Sequence, residues 1–225
     1  MNNVHFYQNP RWPDFMQRYA QDLRGFARDV CGVELAPNMA QAYAAAELPG
    51  CRVAMTGALD YLHDDDQAIS PLAPVALWHL FCRPSSATNV VLPPGGARRR
   101  RQYQKLLKTM AWGPYGWLCD VLDIRPDEIR VLGANHWRIR FITAGAPEVL
   151  AGYMDKDLLW LVEDAHALPD QCFEVMGGAC YGHANTRLVM LSHFLAITGF
   201  AYRARTSPNW DAFNLEHART AQTPA

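Results

Sequence analysis

The stretch LLWLVED, residues 158–164, decides the fold. Five consecutive apolar residues end in two acids, Glu163 and Asp164. An apolar run of this length, closed by polar residues, suits a strand buried on both faces at the centre of a parallel sheet.

The segments around it follow the same logic. Downstream, PDQCFEVMGGAC (169–180) reads as a helix and TRLVMLSH (186–193) as another strand. Upstream, Arg52 to Met55 reads as a buried strand that reaches a turn at Thr56-Gly57. A polar loop follows, then an almost wholly apolar helix to about Cys82, with Ser70 as cap, Pro71 at the first position and Pro74 in the first turn. TNVVLPP (88–94) is a short strand broken by Gly95-Gly96. ARRRRQYQKLLKTM (97–110) is a basic helix with Tyr103, Leu106, Leu107 and Met110 on one face, and WGPYGWL (112–118) reads as loop. Ile129 to Val131 and Trp137 to Phe141 predict a hairpin that turns near Gly133-Ala134-Asn135. Phe15, Tyr19, Leu23, Phe26 and Val30 predict one amphipathic helix over 11–30, stopped at Gly32, and PNMAQAYAAAEL (37–48) predicts a second. Strands alternating with helices predict a three-layer α/β domain with a mostly parallel sheet. The expected organisation is an N-terminal helical lead (1–50), an α/β core (51–215) and a flexible tail (216–225).

Bulk composition narrows the classes. The chain has 225 residues, half of them hydrophobic, so a sizeable core is affordable, and its net charge of −1 demands no nucleic-acid partner. Six cysteines show no CxxC spacing and read as reduced thiols. No apolar run approaches the roughly 18–20 residues that cross a bilayer, and the N-terminus lacks a signal pattern, so a cytoplasmic protein without a membrane role is expected.

Two features carry chemistry. An apolar strand tipped by acids is how phosphate-loop hydrolases place one carboxylate on magnesium and the next on the attacking water. The strand–loop–helix of residues 52–82 has the layout of a phosphate loop, in which Thr56, Gly57 and Ser70 would be the contacts. That loop carries three consecutive aspartates, Asp64 to Asp66. Like charges at ~4 Å cost about 1 kcal/mol in water and more where solvent is excluded, so these acids oppose a triphosphate. His63 and the three aspartates lack the alternating spacing of a calcium loop, and a solvated acidic turn is the simpler reading. No metal site is expected.

The ordered set resembles the ATPase domain of phage large terminase subunits, the motors that package DNA. The quoted features are Glu163-Asp164-Ala165, Pro169-Asp170, the strand ending at Ser192-His193, Gly199-Phe200-Ala201-Tyr202, VALWHLFCRP with TNVVLPP, and FARDVCGVELAP. They run in the family's order over roughly residues 15–215. Superfamily 2 helicases are similar at Glu163-Asp164-Ala165-His166, but the Gly199 to Tyr202 continuation favours the terminase. The resemblance implies a phosphate-loop NTPase fold of the RecA type, with Glu163 and Asp164 as catalytic acids if the domain is active. Several motifs depart from the family. Ile69-Ser70 stands where Lys-Ser or Lys-Thr is expected, the acids are in reverse order, Ser192-His193 lacks an asparagine, and Met39 stands near the place of an adenine-side glutamine. A phosphate loop without its lysine loses the charge that neutralises phosphates.

The first reading is therefore a terminase-like pseudo-ATPase, phage- or prophage-derived, that serves as a structural or regulatory partner in DNA packaging or a repurposed assembly. The alternatives are an active NTPase with ATP and magnesium at an atypical site, and a protein-binding inhibitor or adaptor on a disabled motor fold. The family's nuclease domain is not expected in this chain, nor is DNA cleavage. Arg98, Arg99, Arg100 and Arg101 would meet DNA or a protein partner, or form a solvated face paired to acids such as Asp64 to Asp66. Of the eight histidines, His183 and His193 bracket a strand and could approach Asp164.

Overall fold

The computed structural model describes residues 6–57, 69–181 and 183–215. The strands are β1 (Arg52–Gly57), β2 (Ala87–Leu92), β3 (Leu122–Ile124), β4 (Glu128–Val131), β5 (Arg138–Thr143), β6 (Leu158–Val162), β7 (Arg187–His193) and β8 (Asp211–Asn214). They form one sheet in the order β3-β4-β5-β2-β6-β7-β1-β8. Pairing is parallel from β5 through β8 and antiparallel only in β3-β4 and β4-β5. The helices are α1 (Trp12–Tyr19), α2 (Leu23–Gly25), α3 (Pro37–Glu47), α4 (Leu72–Cys82), α5 (Ala97–Ala111), α6 (Asp170–Cys180) and α7 (Gly199–Ala204).

Period-two alternation divides the core into two layers. Val53 and Met55 of β1, Leu159 and Leu161 of β6, and Val189 and Leu191 of β7 pack with buried residues of α1 to α5. Ala54, Leu158, Trp160, Val162, Leu188 and Met190 pack on the other side with α6 and α7. The sheet is thus covered on both faces, which is why its central strands read as unbroken apolar runs. Every residue of α4 is buried, as expected of a helix apolar all round.

The first predicted helix is instead two pieces. α1 ends at Tyr19, and Asp22 starts a new turn by accepting a hydrogen bond from Gly25 N–H at 2.8 Å. That turn runs into a π-helical segment, Phe26–Val30. Phe15, Tyr19, Leu23, Phe26 and Val30 all reach the core as expected, by way of the break. Gly32, at φ +67°, supplies the left-handed stop. The segment predicted as loop after α5 holds a 3₁₀ helix, Gly116–Val121. Two strands escaped the sequence reading, β3 and β8; both are short sheet edges.

At the N-terminal end of the central strands lies a buried polar knot. His79 of α4 bonds Thr88 Oγ1 through Nδ1 (2.8 Å) and Asp157 Oδ1 through Nε2 (3.0 Å). Arg187 donates to the same Asp157 oxygen at 2.8 Å. Burial holds His79 below the ordinary histidine range, against the pull of Asp157. Trp78 Nε1 donates to Tyr19 O at 2.9 Å and Trp137 Nε1 to Leu80 O at 2.6 Å, fixing α4 to the N-terminal segment and the hairpin. Asp22→Ala removes the cap at the helix break and is expected to cost about 1 kcal/mol in urea unfolding; an unchanged urea midpoint would show that the cap does not hold the break.

Candidate functional site

The C-terminal ends of β1, β6 and β7 meet along one edge. Register places Thr56 beside Ser192 and Gly57 beside His193, while Val162 pairs with Met190, so Glu163 and Asp164 emerge on the same side. Ligand sites of open α/β sheets form at this edge. The loop from 58 to 68, with His63 and Asp64 to Asp66, lies outside the described residues, as does the tail from 216.

Glu163 continues the face of Leu159 and Leu161, and therefore points toward α4 and α5. Its side chain is fully buried. Ser70 Oγ donates to its Oε1 in a short hydrogen bond, and Tyr103 OH donates to the same oxygen at 2.7 Å. The N-cap of α4 is Pro71, not Ser70 as expected; one residue before it, Ser70 Oγ still accepts from Leu72 N–H at 3.1 Å. The second carboxylate oxygen, Oε2, has no hydrogen-bond partner among the described residues and lies 3.9 Å from Arg99 Nε. Burial raises the Glu163 pKa above the ordinary carboxyl value; Arg99, Ser70 and Tyr103 offset only part of that effect. Tyr103 is raised well above the usual phenol value by burial and by the charge of Glu163, so it stays a donor.

Asp164 turns away in the left-handed region, at φ +47°. Arg99 clamps it with two bonds, Nε to Oδ2 at 3.1 Å and a terminal nitrogen to Oδ1 at 2.9 Å. This is the planar, bidentate pairing that favours arginine over lysine. Beyond it, His193 N–H donates to His166 Nδ1 at 3.3 Å, and the two rings lie 6.0 Å apart. Burial lowers the His166 pKa, which keeps that nitrogen an acceptor.

The expected residues are thus partly assembled. Ser70, Glu163 and Asp164 come together; Thr56 and Gly57 lie on the same edge, where Thr56 O accepts from Leu215 N–H at 2.7 Å and Gly57 O from Phe194 N–H at 3.3 Å. Thr56 also lines an open cleft of about 420 Å³ with Phe194, Arg205 and Asn214. Ile69 packs against the hydrophobic core and offers no cation, and Met39 is buried in that core. The four arginines of α5 part company: Arg98 is half-buried, Arg99 is buried on Asp164, Arg100 donates to Pro126 O at 2.6 Å, and Arg101 is exposed. His193 reaches the site edge through His166, whereas His183 lies at the opposite end of the sheet beside Cys51 and Cys180. No cluster of three metal-ligating residues occurs among the described residues. Tyr103 was legible in sequence only as a core residue; its spacing of four from Arg99 was the available sign that both face Glu163.

Ser70 and Glu163 are oxygen donors of the kind that hold a hard divalent cation. Around that pair, one Glu163 oxygen already takes two donors, and Asp164 is held by a guanidinium. Relative to the unfolded chain the fold favours the protonated form of Glu163, so this group's contribution to stability is fully present below the unfolded pKa of about 4.3 and is lost as pH rises through the raised folded value. Glu163→Gln keeps an acceptor for Ser70 and Tyr103 and removes that charge. Its melting temperature is expected to exceed wild type at pH 8, with the gain shrinking toward pH ~4.3. A lower melting temperature at pH 8 would mean that the ionised carboxylate is fully compensated.

No family model matches the sequence, and no curated protein matches it. Solved structures do. Two structures of the large terminase ATPase domain from Thermus phage P74-26, one of them a mutant, superpose with TM-scores of 0.59 and 0.56, each at 12% identity over 83% of both chains. The large terminase of bacteriophage HK97 superposes with a TM-score of 0.61 at 13% identity, covering 90% of this chain and 45% of that one. Among the described residues no helix is long and apolar enough to cross a membrane. The chain has the fold of the phage large-terminase ATPase domain, a RecA-type α/β core with an eight-stranded, mostly parallel sheet.

Proposed function

We propose that this chain is a terminase-like pseudo-ATPase, a non-hydrolysing domain that works in the cytoplasm as a structural or regulatory partner in phage-type DNA packaging or an assembly derived from it. One observation carries the reading. Asp164 is held through both oxygens by Arg99, while Glu163 takes Ser70 and Tyr103 on one oxygen and keeps the other buried 3.9 Å from Arg99. A carboxylate that polarises water needs a free, ionised oxygen aimed at that water. A guanidinium in bidentate contact occupies both oxygens of Asp164 and fixes their direction. Ile69 in the lysine position works in the same direction. The packaging context rests on the likeness of fold to large terminases, and the partner is a protein of such an assembly.

A second reading, an active NTPase, draws on the Ser70–Glu163 pair. Hydroxyl and acid meet as they do where phosphate-loop enzymes hold magnesium. Thermal unfolding with and without millimolar ATP and magnesium separates the two. The first reading expects no shift and no phosphate release, in wild type and in Arg99→Ala alike. Stabilisation by ATP that disappears in the Glu163→Ala, Asp164→Ala double variant would overturn it, since a ligand at 100 times its Kd adds about 2.7 kcal/mol.

A further inference from the structure

The outer face of α5 has a pattern that the nucleotide-site reading does not use. Arg99, Gln102, Tyr103, Leu106, Leu107 and Met110 form its buried side. Diametrically opposite lie Arg101 and Lys108, both exposed, and Trp112 at the helix end. With 3.6 residues per turn these three fall within an arc of roughly 40° and span about 16 Å. Arg98 and Lys105, both half-buried, flank the stripe on one side. The helix contains no Asp or Glu. Trp112 is 93% exposed, the most exposed of the large hydrophobic side chains among the described residues. An indole held in water at the end of a cationic row adds nothing to the core.

We propose that this stripe binds single-stranded nucleic acid, with Arg101 and Lys108 on successive phosphates and Trp112 stacked on an unpaired base. The cations alone would suit any polyanion. The indole selects among polyanions, because its flat face finds an equal partner only in a base whose own face is uncovered. In a closed duplex the neighbouring pairs cover both faces. The proposal does not rest on the pseudo-ATPase reading; the stripe lies on the far side of α5 from Glu163, and ATP hydrolysis could be found without affecting it.

The test is fluorescence anisotropy of the full chain with a labelled oligothymidylate and with a duplex of equal length, each over a range of salt. The single strand is expected to bind more tightly than the duplex. Trp112→Ala is expected to weaken the single-strand complex by about 5- to 150-fold, with Trp112→Phe restoring most of the loss. Arg101→Ala with Lys108→Ala is expected to flatten the slope of log affinity against log salt by about 1.4. All three positions are exposed, so unchanged circular dichroism is expected of each variant. Absence of binding, equal affinity for the duplex, or an unchanged affinity in Trp112→Ala would overturn the proposal.

Discussion

The arrangement depends on one buried carboxyl group. Glu163 leaves the central strand with no exposure and meets Ser70 from the start of α4 and Tyr103 from the middle of α5. A buried acid without donors would cost several kcal/mol, so the two helices are held to the strand end by the need to satisfy it. Arg99, one turn before Tyr103, then falls beside Asp164 and brings a compensating charge to the same corner. Removing any one partner leaves the others with an uncompensated group. The corner is therefore a mutual requirement of three elements more than a sum of separate contacts.

Much of the fold is legible in the sequence because the sheet is covered on both sides. Strands such as Leu158–Val162 and Arg187–His193 must be apolar throughout, and that pattern survives reading by eye. β3 and β8 were illegible for the opposite reason. They are edge strands of three and four residues with mixed exposure, and nothing in their sequence separates them from loop. The break after Tyr19 was hidden because the apolar spacing continues across it, and only the capping chemistry of Asp22 reveals it.

The site was legible in its acids and its serine, since these sit at the ends of strongly patterned elements. Arg99 was not, because four consecutive arginines read as one surface patch. Helical periodicity resolves them: Arg99 shares the stripe of Tyr103, Leu106 and Met110, while Arg101 lies on the opposite side. Chain position grouped these residues together, and the turn of the helix gives them different neighbours. The same turn yields a buried arginine facing the acids and an exposed row that ends in Trp112.

The polar knot at the other end of the sheet bears on how this domain can move. α4 is fastened to β6 at both of its ends, through Ser70 to Glu163 and through His79 to Asp157. Like a strut bolted at two points, it cannot slide along the strand without breaking a buried polar contact at one end or the other. Polar contacts join α5 to the end of β6 at its first two turns, through Arg99 and Tyr103. Its later turns are held by apolar burial of Leu106, Leu107 and Met110, so a rotation of α5 would reach the acids through its polar start.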